Sequence, residues 1–253
     1  MNSEWDANLY LNFLNQRTQP ARDLLSRIST LNPKTVIDIG CGTGNSTELL
    51  SQCFQKANIM GLDSSSEMLK KAKKNIPNVT YKHGDANALE GNYDLIFSNA
   101  CFQWIPDHAA FIPFLMDHLT PGGVLAAQFP MNKMEPLFQI IFELVADPHW
   151  GLANTTIDYN GTLEPDAYFN LLSSCSHSFQ IWETKYYHHL QDHQALINWV
   201  KGSRIRPYLS VMSKKEGEEF ENAILEKVKK VYPVMKNGEV VLHFNRFFMI
   251  AVK

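Results

Sequence analysis

A β-branched run over residues 35–39 ends directly in Gly40-Cys41-Gly42-Thr43-Gly44, and this junction constrains the fold more than any other segment. Helix-like residues 47–54 follow, so the glycines sit between a strand and a helix, where such a loop cradles a nucleotide-like ligand. Glycine lets the backbone turn tightly and lets a ligand approach with no side chain between. The alternation continues downstream. Residues 58–62, 79–82, 93–98 and 124–129 read as further strands, each a short apolar or β-branched run. Residues 65–76 read as an amphipathic helix with a lysine-rich face, and 111–119 as a helix stopped by Pro121-Gly122-Gly123. Repeated β-α alternation predicts an α/β fold with a doubly wound, Rossmann-like, mostly parallel sheet. The carboxyl ends of its strands then form the ligand-binding edge.

The second half is less regular. Residues 134–145, 194–200 and 214–231 read as helices, and residues 179–188 and 240–252 as strands, the last after an Asn237-Gly238 turn. The two late strands are expected to complete one edge of the sheet. The helices around them are left over, and they are expected to form a lid. The chain of 253 residues is thus read as a single domain over 1–253. Its cofactor-binding core covers 30–130, with helical insertions at 131–178 and 190–238 as lid and acceptor pocket.

A formal charge of −3 gives no global basic field, so neither nucleic acid nor an anionic membrane is an expected partner. Residues 1–10 lack the apolar stretch of a signal peptide, and no apolar run spans a bilayer. Cys41, Cys53, Cys101 and Cys175 form no C-x-x-C pair, which argues against a zinc site or a redox dithiol. A reduced, cytoplasmic setting is the expectation. His188, His189 and His193 lack the H-E-x-x-H frame, and no metal is assigned to them. Lys70, Lys71, Lys73 and Lys74 read as a solvated helix face. Ser64-Ser65-Ser66 lacks the G-x-S-x-G frame of a nucleophile elbow, and Cys41 reads as a packing residue.

The details of the loop discriminate between nucleotide ligands. The dinucleotide fingerprint is G-x-G-x-x-G, whereas here Asn45 stands at the position of the third glycine. No G-K-[ST] follows, which excludes a P-loop. Asp38 sits just ahead of the loop, where a carboxylate is unwelcome beside a pyrophosphate but suits a ligand carrying an ammonium and a sulfonium. S-adenosylmethionine carries both, with ribose and adenine and no phosphate. Asp63 ends the second strand, where an acid accepts from ribose hydroxyls. Ser64 and Glu67 fit a capping box for the following helix. Asp85, with Ala86 behind it, ends the third strand, where a carboxylate can accept from the adenine amino group. Asn99-Ala100 ends the fourth, where the methyl group should lie.

These residues resemble the class I S-adenosylmethionine-dependent methyltransferases. The likeness rests on Asp38 to Gly44, Asp63, Asp85, the Tyr93-Asp94-Leu95-Ile96 strand and Leu119-Thr120-Pro121-Gly122-Gly123. A closer resemblance, to the trans-aconitate 2-methyltransferase family, runs nearly the full length. It rests on Trp5, Leu9-Tyr10-Leu11, Arg17, the run from Gly42 to Thr47, Leu62-Asp63-Ser64-Ser65, Gln103-Trp104-Ile105-Pro106-Asp107-His108, Glu135-Pro136, Tyr186-Tyr187-His188, His193-Gln194-Ala195 and Arg206-Pro207. The resemblance implies a seven-stranded sheet and a methyl ester of a small polycarboxylate as product. It implies cofactor contacts from Asp38, Gly40, Cys41, Gly42, Gly44, Asp63, Ser64, Asp85, Ala86, Asn99 and Ala100, with Tyr10 and Arg17. Gln19 stands where that family tends to carry a second arginine, and Gly202-Ser203-Arg204-Ile205 departs from its usual small-residue run.

Methyl transfer is an in-line displacement, and alignment alone can lower such barriers by about 7–11 kcal/mol. A carboxylate with a pKa of about 4 is already ionised at neutral pH and needs no general base. No catalytic base is assigned. Desolvation and orientation of the acid fall to arginine forks, with Arg206 first, then Arg17 and Arg204. Tyr186, Tyr187, His188 and Trp104 are the further acceptor-pocket candidates, and Tyr10 can help close the pocket. The expected enzyme is therefore a monomeric or weakly self-associating O-methyltransferase acting on trans-aconitate or a near relative. It would consume S-adenosyl-L-methionine and release S-adenosyl-L-homocysteine. The alternatives are methylation of a carrier-bound malonyl carboxyl or another small acceptor, and a non-catalytic S-adenosylmethionine-binding protein. Intact Asp38, Asp63 and Asp85 argue against the last. An NAD-dependent oxidoreductase is disfavoured by the loop spacing.

Overall fold

The structure, a computed structural model, describes residues 14–72, 76–155, 161–201 and 204–253. In chain order it runs α1 (Leu14–Ile28), β1 (Thr35–Ile39), α2 (Asn45–Cys53), β2 (Asn58–Asp63), α3 (Ser66–Lys71), β3 (Val79–His83), β4 (Tyr93–Asn99), α4 (His108–Asp117) and β5 (Leu119–Pro130). There follow α5 (Pro136–Ala146), α6 (Pro165–Cys175), β6 (Ser178–Leu190), α7 (His193–Lys201), the one-turn α8 (Arg206–Leu209), α9 (Lys214–Val231) and β7 (Val240–Val252). The strands form one seven-stranded sheet in the order β3-β2-β1-β4-β5-β7-β6. β1 pairs in parallel with β2 and β4, β2 with β3, and β4 with β5, while β7 runs antiparallel to β5. The order reverses at β1/β4, the switch point at which doubly wound sheets bind ligands. Among the described residues, no helix is long and apolar enough to cross a membrane.

The residues group into two compact units. One comprises the described residues of 17–130, 158–184 and 246–253, and the other those of 1–16, 131–157 and 185–245. In the first, Val36 to Ile39 of β1 and Leu95 to Ser98 of β4 are buried throughout, as central parallel strands covered on both faces require. Phe102, Phe129, Tyr168 and Phe247 form an aromatic cluster there, with His108 among them. The second unit is built on apolar helix faces. In α9, Phe220, Ile224 and Val228 recur at helical spacing and are fully buried with Leu137, Ile141, Leu196 and Val240. Each such side chain contributes about 1.5–3 kcal/mol on burial. The helix starts at a capping box in which Ser213 and Glu216 bond each other's backbone N–H.

Several elements differ from the sequence reading. Residues 65–76 were expected to be one helix capped by Ser64 and Glu67; α3 spans only Ser66–Lys71, and its cap is Ser65, which accepts from the Met68 amide at 3.3 Å. The cap moves on by one residue because Asp63 accepts from the Ser65 N–H and turns the chain there first. β5 begins at Leu119, before the Pro-Gly-Gly turn. Leu119 pairs with Tyr93 and Val124 with Leu95, so the intervening turn bulges out of a strand that then resumes. Helix α1 has no counterpart in the sequence reading: Pro20 lies inside it, and burial of Ala21, Leu24, Leu25 and Ile28 sustains it. Helix α6 likewise has no counterpart there; Pro165 opens it and Tyr168 and Leu172 form its buried stripe.

Candidate active site

β1 delivers its backbone into a loop with three left-handed positions, Gly40 at φ +71, Gly42 at φ +57 and Gly44 at φ +85. The Gly40 and Cys41 amides both donate to the Leu62 carbonyl, at 2.8 and 3.1 Å, tying the loop to the end of β2. Gly40 is required by space as well as by φ: a Cβ there would stand 2.3 Å from Cys101 Cβ. Gly44 and Gly61 make room for one side chain, because a Cβ would meet the Tyr81 hydroxyl at 2.4 Å from Gly44 and the Tyr81 ring at 2.7 Å from Gly61. The position before Gly42's missing Cβ is open, with nothing within 4 Å.

Asp63 bridges this loop to the next helix. One carboxylate oxygen accepts from the Gly42 N–H and the other from the Ser65 N–H, both at 2.8 Å. A carboxylate has about four acceptor sites, so both oxygens retain capacity for hydroxyl donors. Ser64 is exposed beside it, and its carbonyl lies 3.0 Å from His83 Nε2. Asp85 caps a 3-10 turn over Ala86–Ala88, accepting from the Asn87 amide at 2.9 Å while its side chain remains exposed.

Asp38 is fully buried. Its Oδ2 accepts from Ser46 Oγ at 2.8 Å and Thr47 Oγ1 at 2.6 Å, which anchors the first turn of α2 to β1. Burial raises its pKa to about 7, against the lowering effect of the two hydroxyls. Cys41 and Cys101 are likewise raised by burial and by the fields of Asp38 and Asp63, Cys101 to about 12, so both are neutral thiols.

At the end of β4, Asn99 and Ala100 meet Gln128 of β5. Ala100 takes a left-handed φ of +57, and its amide donates to the Gln128 carbonyl at 2.8 Å. The buried Gln128 side chain donates from Nε2 to Asn99 Oδ1 and accepts at Oε1 from Arg246 Nη1 at 3.4 Å. Trp104 ends the 3-10 turn Phe102–Trp104 and is 42% exposed. Beyond it, His108 is buried between the Phe102 carbonyl at 2.8 Å and the Tyr168 hydroxyl at 2.5 Å. Desolvation lowers its pKa, which leaves it a neutral structural imidazole at neutral pH.

The remaining acceptor candidates lie in the second unit. Alternation along β6 separates them: Tyr186 stacks on His188 at 6.1 Å, with Trp199 4.7 Å from His188, whereas Tyr187 is 60% exposed and touches His243. Arg206 opens α8 and is half-buried. Arg204 is buried, its guanidinium 4.8 Å over the Phe142 ring. Arg17 lies in α1, but its side chain, like the whole of Tyr10, falls outside the described residues. Among the described residues no cluster of three or more His, Cys, Asp or Glu could hold a metal ion.

Sequence reasoning therefore named the loop and its acids but missed Tyr81, Gln128 and Arg246. Tyr81 had one signal, an isolated glycine at position 61 inside a strand, which marks a close approach. Gln128 and Arg246 stood in apolar strand runs and had only their polarity to mark them.

Residues 36–123 match the family model described as a methyltransferase domain. Over its full length the chain resembles trans-aconitate 2-methyltransferases. It is 38% identical to that of Rhizobium leguminosarum bv. trifolii, covering 98% of this chain and 99% of the relative. It is 37% identical to that of Escherichia coli O1:K1 / APEC, covering 98% of each. Among solved structures, the YcgJ protein of Bacillus subtilis superposes with a TM-score of 0.60 at 16% identity, over 93% of this chain and 98% of that one. A Haemonchus contortus phosphoethanolamine N-methyltransferase 2 with S-adenosylhomocysteine bound superposes with a TM-score of 0.59 at 18% identity, over 93% and 52%. At these identities the structural likeness speaks for the fold.

Proposed function

This chain belongs to the trans-aconitate 2-methyltransferase family of S-adenosylmethionine-dependent enzymes, and from that premise we propose that it methylates one carboxylate of trans-aconitate. The observation that carries the cofactor half is Asp63: its carboxylate orients the Gly42 N–H and has acceptor capacity left beside an open glycine. A ribose diol is a double donor that suits such a site. When bound, S-adenosylmethionine supplies an electrophilic methyl on a sulfonium; a carboxylate oxygen forms the new C–O bond as the C–S bond breaks, and neutral S-adenosylhomocysteine leaves.

The chain's own residues then bind and orient. Gly40, Cys41, Gly42 and Gly44 give the backbone its close approach. Asp63 and Ser64 take the ribose side and Asp85 with Ala86 the adenine side, and Asn99 and Ala100 border the transfer. Burial raises the Asp38 pKa to about 7, and a cationic ligand near the loop would draw this carboxyl, held by Ser46 and Thr47, to its charged form. Arg206, half-buried at the start of α8, is the proposed fork for the acceptor acid, with Tyr186 and His188 stacked in the same unit as further candidates. The nucleophile is ionised at neutral pH, so no residue needs to remove a proton. The same reading makes the protein a cytoplasmic enzyme, monomeric or weakly self-associating, with no nucleic-acid partner.

Acceptor specificity tests this reading. Steady-state rates with trans-aconitate, cis-aconitate, citrate, isocitrate and malonate are expected to rank trans-aconitate first in kcat/KM, by about tenfold or more, the scale of one net hydrogen bond. Equal rates across the panel, or turnover of none with cofactor binding intact, would contradict it.

A further inference from the structure

We propose that Gln128 is a positioning residue that sets which end of the Asn99 amide faces the ligand, so that Asn99 offers N–H donors to a carboxylate. The argument starts from Arg246. A guanidinium only donates, so the Gln128 atom that meets Arg246 Nη1 at 3.4 Å is the amide oxygen. Gln128 must then turn Nε2 the other way, and Nε2 donates to Asn99 Oδ1. Asn99 is left with Nδ2, which makes no hydrogen bond among the described residues. The polarity of two amides is thus fixed by one donor-only group, and the free end of the relay is a donor.

Its placement gives this end a use. Asn99 is half-buried at the carboxyl end of β4, the ligand-binding edge of a parallel sheet. Gln128 also holds the backbone there: its carbonyl accepts from Ala100 N–H at 2.8 Å, and Ala100's own carbonyl accepts from Gln103 Nε2 at 2.7 Å. These bonds pin a non-glycine residue at φ +57, a conformation that costs energy and is kept where the surroundings over-determine it. The proposal rests on the methyltransferase reading, which supplies two carboxylates: that of the acceptor acid and that of the cofactor's aminoacyl group.

Gln128→Glu tests the relay. A carboxylate keeps the Arg246 contact but cannot donate. Asn99 must then turn Nδ2 toward it and show Oδ1 to the ligand. At about pH 8 the affinity for the carboxylate-bearing ligand is expected to fall about tenfold or more, the scale of a lost hydrogen bond to a charged group, while kcat at saturation changes far less. A raised KM for trans-aconitate with an unchanged calorimetric Kd for S-adenosylmethionine assigns the contact to the acceptor; the reverse assigns it to the cofactor. Gln128→Met removes the bias without inverting it and is expected to lose less than Gln128→Glu. Should Gln128→Glu fail to fold, Asn99→Asp presents an oxygen to the ligand directly and is expected to lose more than Asn99→Ala. Equal losses in the Glu and Met variants, or unchanged affinity for both ligands in a folded Gln128→Glu, would overturn the relay. A wild type that binds S-adenosylmethionine yet methylates no acid defeats the acceptor reading alone, and the cofactor titrations still decide the relay.

Discussion

Replacing Gly40 by alanine joins two separable costs at one position. The residue sits at φ +71, where an L side chain costs about 1–2 kcal/mol. The new Cβ would also stand 2.3 Å from Cys101 Cβ and 2.4 Å from its Sγ, with Cys101 Cα at 3.6 Å. The near atoms are bonded close to the backbone, so no rotamer removes the clash, and overpacking of this kind costs about 1–3 kcal/mol. The sum is about 2–5 kcal/mol, at the large end for a single substitution. Equilibrium urea unfolding of wild type, Gly40→Ala, Cys101→Gly and the double variant separates the two terms. Cys101→Gly removes the crowding atoms but leaves φ untouched. A coupling of about 1–3 kcal/mol is expected, with the φ cost surviving in the double variant. Strict additivity, or a Gly40→Ala loss below about 0.5 kcal/mol, would refute the packing argument.

Asp63→Ala removes the anchor of the Gly42 amide and the proposed ribose acceptor, and is expected to weaken S-adenosylmethionine binding about a hundredfold by calorimetry. Arg206→Ala should raise the acceptor KM about tenfold or more with cofactor affinity unchanged; equal acceptor kinetics would remove Arg206 from the site. Asp38 binds its proton more tightly folded than unfolded, its pKa being raised from 3.8 to about 7. Its contribution to stability therefore falls as pH rises between those values and is flat above them. Asp38→Asn should flatten that slope in a Tm-versus-pH series, and an unchanged slope would count against it. Tyr232→Phe deletes the hydroxyl that donates to buried Glu135 and accepts from the Leu137 amide at 3.0 Å. The expected cost is about 1–3 kcal/mol by denaturant unfolding.

The glycine-loop end of the fold was legible because its determinants are local. A glycine at a left-handed position, an acid closing a strand and a buried β-branched run each leave a mark within a few residues, and Asp38, Gly40, Gly42, Gly44 and Asp63 all fall where the spacing put them. What was missed depends on long-range partners. Tyr81 is explained only by Gly44 and Gly61, and Gln128 only by Asn99 and Arg246, across strands far apart in sequence. Helix α1 hid behind Pro20 because its stability comes from burial rather than propensity. The acceptor candidates were the least legible. An arginine's sequence neighbours do not say whether it is buried, as Arg204 is, or half-buried, as Arg206 is.

The chemistry of the product bears most directly on the proposed reaction. Pure protein incubated with methyl-labelled S-adenosylmethionine and trans-aconitate should yield one labelled acid per S-adenosylhomocysteine formed, with the label released as volatile methanol by mild base, as a methyl ester requires. Label that resists base, or S-adenosylhomocysteine formed without a methylated acid, would contradict carboxylate methylation.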